Sequence, residues 1–88
     1  SLAQHVRQLH QKKFRQQHGQ FLVEGAKSVA EVLASDFSVE LLLATEGFHK
    51  ETTLGPHHHQ PRREILSPDE LTRLGTLESN NAAIAVVR

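Results

Sequence analysis

The sequence has no cysteine. Disulfide frameworks and thiolate metal sites are therefore excluded, and the absence fits a reducing, cytosolic setting. No apolar run approaches the ~20 residues that a membrane-spanning helix needs, so no membrane partner is expected. The N-terminal stretch Ser1 to Gln17, "SLAQHVRQLHQKKFRQQ", lacks the apolar centre of a signal peptide. Together these absences lead to the expectation of a cytoplasmic protein. Net charge is missing too: ten Lys and Arg balance ten Asp and Glu. A chain without net charge is not a uniformly basic nucleic-acid binder, so any such role must come from how the charge is distributed.

The distribution is uneven. Residues 1–27 hold Arg7, Lys12, Lys13, Arg15 and Lys27 against Glu24 alone, whereas residues 28–88 hold five basic and nine acidic residues. Either the basic part has an anionic partner, or it is a solvated helix face. The length, 88 residues, allows one domain. A chain of this size buries roughly 60–65% of the surface its unfolded form exposes, enough for one modest core.

Apolar spacing gives the elements. Leu2, Val6 and Leu9 recur at helical intervals in a stretch rich in Gln, Lys and Arg, which predicts one helix over Leu2 to Gln17, ended by His18-Gly19. Phe21 to Val23 is a short strand. Ala26, Val29, Ala30 and Leu33 follow i, i+3, i+4, i+7 and mark a second helix, closed by Ser35-Asp36. Val39 to Thr45 is a strand whose Leu41-Leu42-Leu43-Ala44 is apolar on both faces, as in a sheet covered on both sides. Glu46 to Arg63 reads as a loop, with one helical turn near Phe48 to Thr52. Ile65-Leu66 is a brief strand. Ser67-Pro68-Asp69-Glu70 is a capping box with proline at the first helical position, Leu66 and Leu71 fit a hydrophobic staple, and Gly75 ends that helix. Ala82 to Val87 is the last strand. The order α-β-α-β-β-α-β predicts an α/β fold with a sheet covered on both faces.

Two stretches are candidates for binding. In "FLVEGAKSVAEVL" an apolar strand turns into a helix at Glu24-Gly25. A helix start leaves backbone N–H groups unpaired and carries the positive end of the dipole. Gly25 allows close approach, and Lys27 and Ser28 lie in the first turn, a workable phosphate site. Plain strand-to-helix punctuation explains the same residues, and neither G-x-G-x-x-G nor G-x-x-x-x-G-K-[ST] is present. The second stretch is Lys12-Lys13-Phe14-Arg15, with Arg7 earlier on the same predicted helix. The cations suit phosphates, and Phe14 suits stacking on a base. The plainer alternative puts Phe14 in the core and the charges in water. His57-His58-His59 are adjacent in a loop and match no metal-site spacing, so they are read as solvated. Glu24 is a general-base candidate, but a structural role as a cap or charge partner is favoured. No catalytic constellation is visible.

"KKFRQQHGQFLVEGAKSVAEVL", "VELLLAT", "REILSPDELTRL" and "AAIAVVR" together resemble the N-terminal substrate-binding domain of the SpoU (TrmH) family of RNA methyltransferases. That family's pattern is a basic helix ending in K/R-x-R, then F-x-V-E-G-x-K/R-x-V-x-E-A-L. It is matched at Lys13, Arg15, Phe21, Val23, Glu24, Gly25, Lys27, Val29, Glu31 and Leu33, with Val32 replacing the usual alanine. The resemblance runs from about Val6 to Val87. It implies a single small α/β/α sandwich similar to the ribosomal proteins that bind kink-turn RNA. It also implies that residues 1–88 recognise RNA, with contacts expected at Arg7, Lys12, Lys13, Arg15, Gly25, Lys27 and Ser28. Methyl transfer from S-adenosylmethionine to a ribose 2′-hydroxyl, in rRNA ahead of tRNA, would belong to a knotted domain after Arg88. No cofactor is then expected within this chain, and homodimerisation would run through that further domain. Near Ser79-Asn80-Asn81 the family's T-P-Q-G-like turn is replaced by "LESNNAAIAVV". The alternative function is a stand-alone RNA-binding or protein-interaction module of ribosomal-protein type.

Overall fold

The computed structural model describes residues 1–52 and 60–88. In chain order the elements are helices α1 (Leu2–Gln8) and α2 (Lys12–His18), strand β1 (Phe21–Glu24), helix α3 (Ala26–Ala34), strand β2 (Val39–Ala44), helix α4 (Glu46–Glu51), strand β3 (Arg62–Ile65), helix α5 (Pro68–Leu74) and strand β4 (Ala83–Val87). The strands form one mixed sheet in the order β1-β4-β2-β3. The last strand is thus internal, antiparallel to both β1 and β2, while β2 and β3 run parallel.

Strand alternation divides the core in two. Leu42, Ala44, Ala83, Ala85 and Val87 pack with Val29 and Leu33 of α3. Leu41, Leu43, Ile84 and Val86 pack on the other face with Val6 and Leu9 from the α1 segment and Leu71 and Leu74 of α5. The double-sided apolar character of β2 is therefore used on both sides, and the α/β/α sandwich expected from the sequence is the observed architecture. The ladder between β2 and β4 shifts register between Val39 and Leu41. This irregularity around Glu40 puts Val39 with the α3 cluster rather than with Leu41 and Leu43.

The capping box of α5 forms as its residues predict. Ser67 Oγ accepts from Glu70 N (3.2 Å), and Glu70 Oε1 accepts from Ser67 N (2.9 Å). Leu66 and fully buried Leu71 both join the α1/α5 cluster, as a staple requires. The turn before β4, where the family pattern is lost, is organised by buried Asn80. Its amide donates to Ala83 O (2.8 Å), and its Oδ1 accepts from Ala82 N and Ala83 N (3.0 and 3.2 Å).

The N-terminal helix expected over Leu2 to Gln17 is instead two helices with a corner at Leu9–Gln11. No glycine or proline marks the corner; side-chain bonds to carbonyls, one set local and one long-range, hold it. The Arg15 guanidinium donates to Leu9 O and His10 O (3.1 and 2.9 Å), the carbonyls exposed where α1 stops. His10 Nε2 donates to Leu74 O at the end of α5 (2.7 Å). Both are cationic or polar groups serving helix C-termini, where unpaired carbonyls concentrate. Gly19 then ends α2 in the left-handed conformation (φ 65°, ψ 36°). The helical turn expected near Phe48 to Thr52 is α4, opened by the Thr45 side chain accepting from Phe48 N (3.2 Å).

Candidate nucleic-acid interface

The candidate residues fall on the α1–α2 corner and on the start of α3. Arg7 is exposed in the last turn of α1. It borders a cleft of about 330 Å³ whose floor is Leu2, Leu43, Leu66 and Leu74, with Glu64, Glu70 and Arg73 also on the wall. Lys12 and Lys13 are exposed in the first turn of α2. Arg15 is half-buried because it clamps the end of α1. It also lines a second cleft of about 360 Å³ together with His10, Phe21, Glu24 and Thr76.

The start of α3 is built by Gly25. Its φ of 95° and ψ of 156° lie where a side chain is strongly disfavoured. Its N–H extends the β1–β4 pairing to Ala83 O, and its carbonyl takes the first helical bond from Val29 N, both at 3.0 Å. No side chain caps this helix, and no acid stands in its first turn. Lys27 and Ser28 are exposed there. The positive end of the dipole is therefore uncompensated by any residue of the first turn.

Glu24 is placed as a structural residue. Its Oε1 accepts from Thr76 N (2.7 Å) and its Oε2 from Thr76 Oγ1 (2.8 Å), so both oxygens are engaged by the segment after α5. Gly75 makes this possible: a Cβ there would overlap Glu24 Oε1. Gly75 does end α5, but with extended backbone (φ −100°, ψ −171°) rather than a left-handed cap. The glycine serves the approach of the carboxylate.

Among the described residues, the three ion pairs are Lys50–Glu46, Arg62–Glu64 and Arg88–Glu40. All three cations come from the acidic part of the chain. Arg7, Lys12, Lys13, Arg15 and Lys27 take part in none of them; Arg7, Lys12, Lys13 and Lys27 are exposed, and Arg15 is half-buried against the end of α1. The fold thus brings Arg15 alongside Glu24 and the entry to α3, whereas Arg7 lines the other cleft. Among the described residues no cluster of three or more His, Asp or Glu could hold a metal; His57-His58-His59 lie outside the described residues. No described helix is long and apolar enough to cross a membrane.

Phe14 departs from the plainer expectation. It belongs to neither core cluster. Its ring stacks on His18 (centroids 6.4 Å, planes 15° apart), with Lys13 Nζ 5.1 Å from its centroid. His18 in turn meets His5 edge-on at 4.8 Å. A faint signal for this existed: on a continuous helix Phe14 falls about 140° from Leu9 and about 80° from Val6, at the edge of the core stripe. The role of Gly75 carried no such signal, because its partner Glu24 lies far away in the chain.

Comparison with known proteins gives one family and several structures. The family model for the MRM3-like substrate binding domain matches residues 3–85. No curated protein matches the sequence. A structure from Porphyromonas gingivalis, described as an RNA methyltransferase of the TrmH family, is 21% identical with a TM-score of 0.79, covering 97% of this chain and 33% of its own. The SpoU methyltransferase AviRb from Streptomyces viridochromogenes, solved with AdoMet, is 22% identical with a TM-score of 0.67, covering 100% and 35%. An RNA 2′-O ribose methyltransferase is 23% identical with a TM-score of 0.72, covering 98% and 33%. The chain therefore spans about a third of each of these structures.

Proposed function

The chain belongs to the MRM3-like substrate-binding domains, and from that premise we propose that it is the RNA-recognition module of a SpoU/TrmH-type 2′-O-ribose methyltransferase. It holds RNA, rRNA ahead of tRNA, so that one ribose hydroxyl meets a methyl donor bound by another domain of the parent protein. The observation that carries this reading is the exposed, ion-pair-free set Arg7, Lys12, Lys13 and Lys27, with half-buried Arg15 among them, beside an uncapped α3 start. Such a set suits phosphates, which fix register and orientation without reading sequence. Its catalytic contribution is positional. Holding two reactants in place can remove up to ~7–11 kcal/mol of a barrier.

S-adenosylmethionine supplies the methyl group in this scheme. The donor is assigned to a knotted domain that would follow Arg88, and homodimerisation of the parent to that same domain. In a cell the protein is then expected in the cytoplasm.

Lys12→Ala/Lys13→Ala/Lys27→Ala tests the reading without disturbing the α1 clamp made by Arg15. Each phosphate that is no longer neutralised lowers the slope of log K against log salt by about 0.7–0.9. The triple variant should bind RNA more weakly, across sequences, and with a flatter salt dependence. Equal affinity and equal slope in a fluorescence-anisotropy titration would refute the interface.

A further inference from the structure

We propose that Phe14, backed by His18, is a stacking platform for one unpaired RNA base, with Lys12 and Lys13 taking the adjoining phosphates. The inference rests on the RNA-binding reading and specifies which state of the RNA this surface selects.

The chain has four aromatic residues besides histidine, all Phe. Phe21 and Phe48 pack on the α3 core cluster, and Phe37 closes edge-on over Phe21 at 5.9 Å. Phe14 is half-buried on α2, and its ring serves neither core cluster. Its position four residues before His18 puts both rings on one helix face, and their near-parallel planes make a stacked pair.

That pair is anchored to the sheet. His18 contacts His5 edge-on, and His5 Nε2 donates to Gln20 Oε1 (2.7 Å). Gln20 Nε2 donates to Glu40 on β2 (2.9 Å), which Arg88 also holds at 3.0 and 3.2 Å. A platform fixed this way loses little freedom when a base lands on it. Lys13, exposed and unpaired with any described acid, is the group now over the Phe14 ring. A flexible cation can leave that face to a base and move to its phosphate.

Charge identifies the occupant. Residues 1–23 contain Arg7, Lys12, Lys13 and Arg15 and not one Asp or Glu. A polyanion with exposed π-faces complements this surface. Paired bases keep their faces buried in the helix stack, so only an unpaired or splayed nucleotide can use Phe14.

The test titrates residues 1–88 with a labelled single-stranded oligoribonucleotide and with a blunt-ended, fully paired duplex of the same length. Phe14→Leu should weaken single-strand binding roughly 5- to 150-fold, the range for one stacked base. It should leave the salt slope and the duplex affinity unchanged. Phe14→Trp should keep the affinity. Because the chain has no Trp, its emission is the only indole signal and should be quenched by the single strand and not by the duplex. Phe14→Leu binding the single strand as tightly as the parent, or Phe14→Trp emission unchanged at saturation, overturns the platform while salt-dependent RNA binding stands. No RNA binding by the parent chain overturns both. If Phe14→Leu does not melt cooperatively, the Phe14→Trp result decides.

Discussion

Gly75→Ala tests the most specific packing relation in the domain. With φ at −100°, alanine is allowed by the backbone, and replacing glycine should on that count stabilise by ~0.4–1 kcal/mol through the unfolded chain. The structure opposes this. The new Cβ overlaps Glu24 Oε1 and approaches Glu24 Cδ to 3.0 Å, while Ile84 Cδ1, at 3.5 Å, is in ordinary contact. Glu24 must swing away and give up Thr76 N and Oγ1. Hydrogen bonds to a charged group contribute about 1.5–3 kcal/mol each when protected from water. Thr76 is exposed, so losing the pair should cost ~2 kcal/mol in all. The net expectation is destabilisation by ~1 kcal/mol, a fall of ~4–8 °C in melting temperature for a domain of this size. The deciding measurement is a double-mutant cycle by urea denaturation. In a Glu24→Ala background the obstruction is gone, so Gly75→Ala should become neutral or stabilising. Equal destabilisation in both backgrounds would refute the account of why glycine stands at this position.

Three further outcomes follow from the same structure. Ser67→Ala removes the side-chain half of the α5 capping box and should cost ~1 kcal/mol without altering RNA affinity; an unshifted denaturation midpoint would show that this cap contributes nothing. The Glu40 carboxyl is held below its ordinary value of 4.5 by the Gln20 amide and then by Arg88. Its folded pKa lies below its unfolded one, so its contribution is complete above about 4.5 and is lost as pH falls through the lower folded value. The stability difference between the parent and Glu40→Gln should therefore be present at pH 6 and close progressively below about 4.5; a difference that persists unchanged to pH 3 contradicts the assignment. Calorimetry of residues 1–88 with S-adenosylmethionine should show no heat of binding, and a stoichiometric micromolar signal would overturn the division of roles between this domain and a catalytic one.

Local chemistry made most of the elements readable. The capping box at Ser67–Glu70, the i, i+3, i+4, i+7 face of α3 and the two-sided apolar run of β2 each act within a few residues, so their patterns survive in the linear sequence. The "F-x-V-E-G-x-K" stretch was legible for the same reason: a strand ending on glycine before a helix is a local event. The tertiary structure alone decided what depends on distant partners. Leu2 to Gln17 has the propensity for one helix, yet it bends because Arg15 and His10 find carbonyls at two helix ends. Gly75 looked like a helix terminator, and its partner is Glu24, 51 residues earlier in the chain. Phe14 resembled a core residue by type, yet it packs on neither core cluster and stacks on His18, four residues on in the same helix. The last strand sits inside the sheet, between β1 and β2, because β4 has two apolar faces, Ile84 and Val86 on one and Ala83, Ala85 and Val87 on the other, and only an internal position buries both.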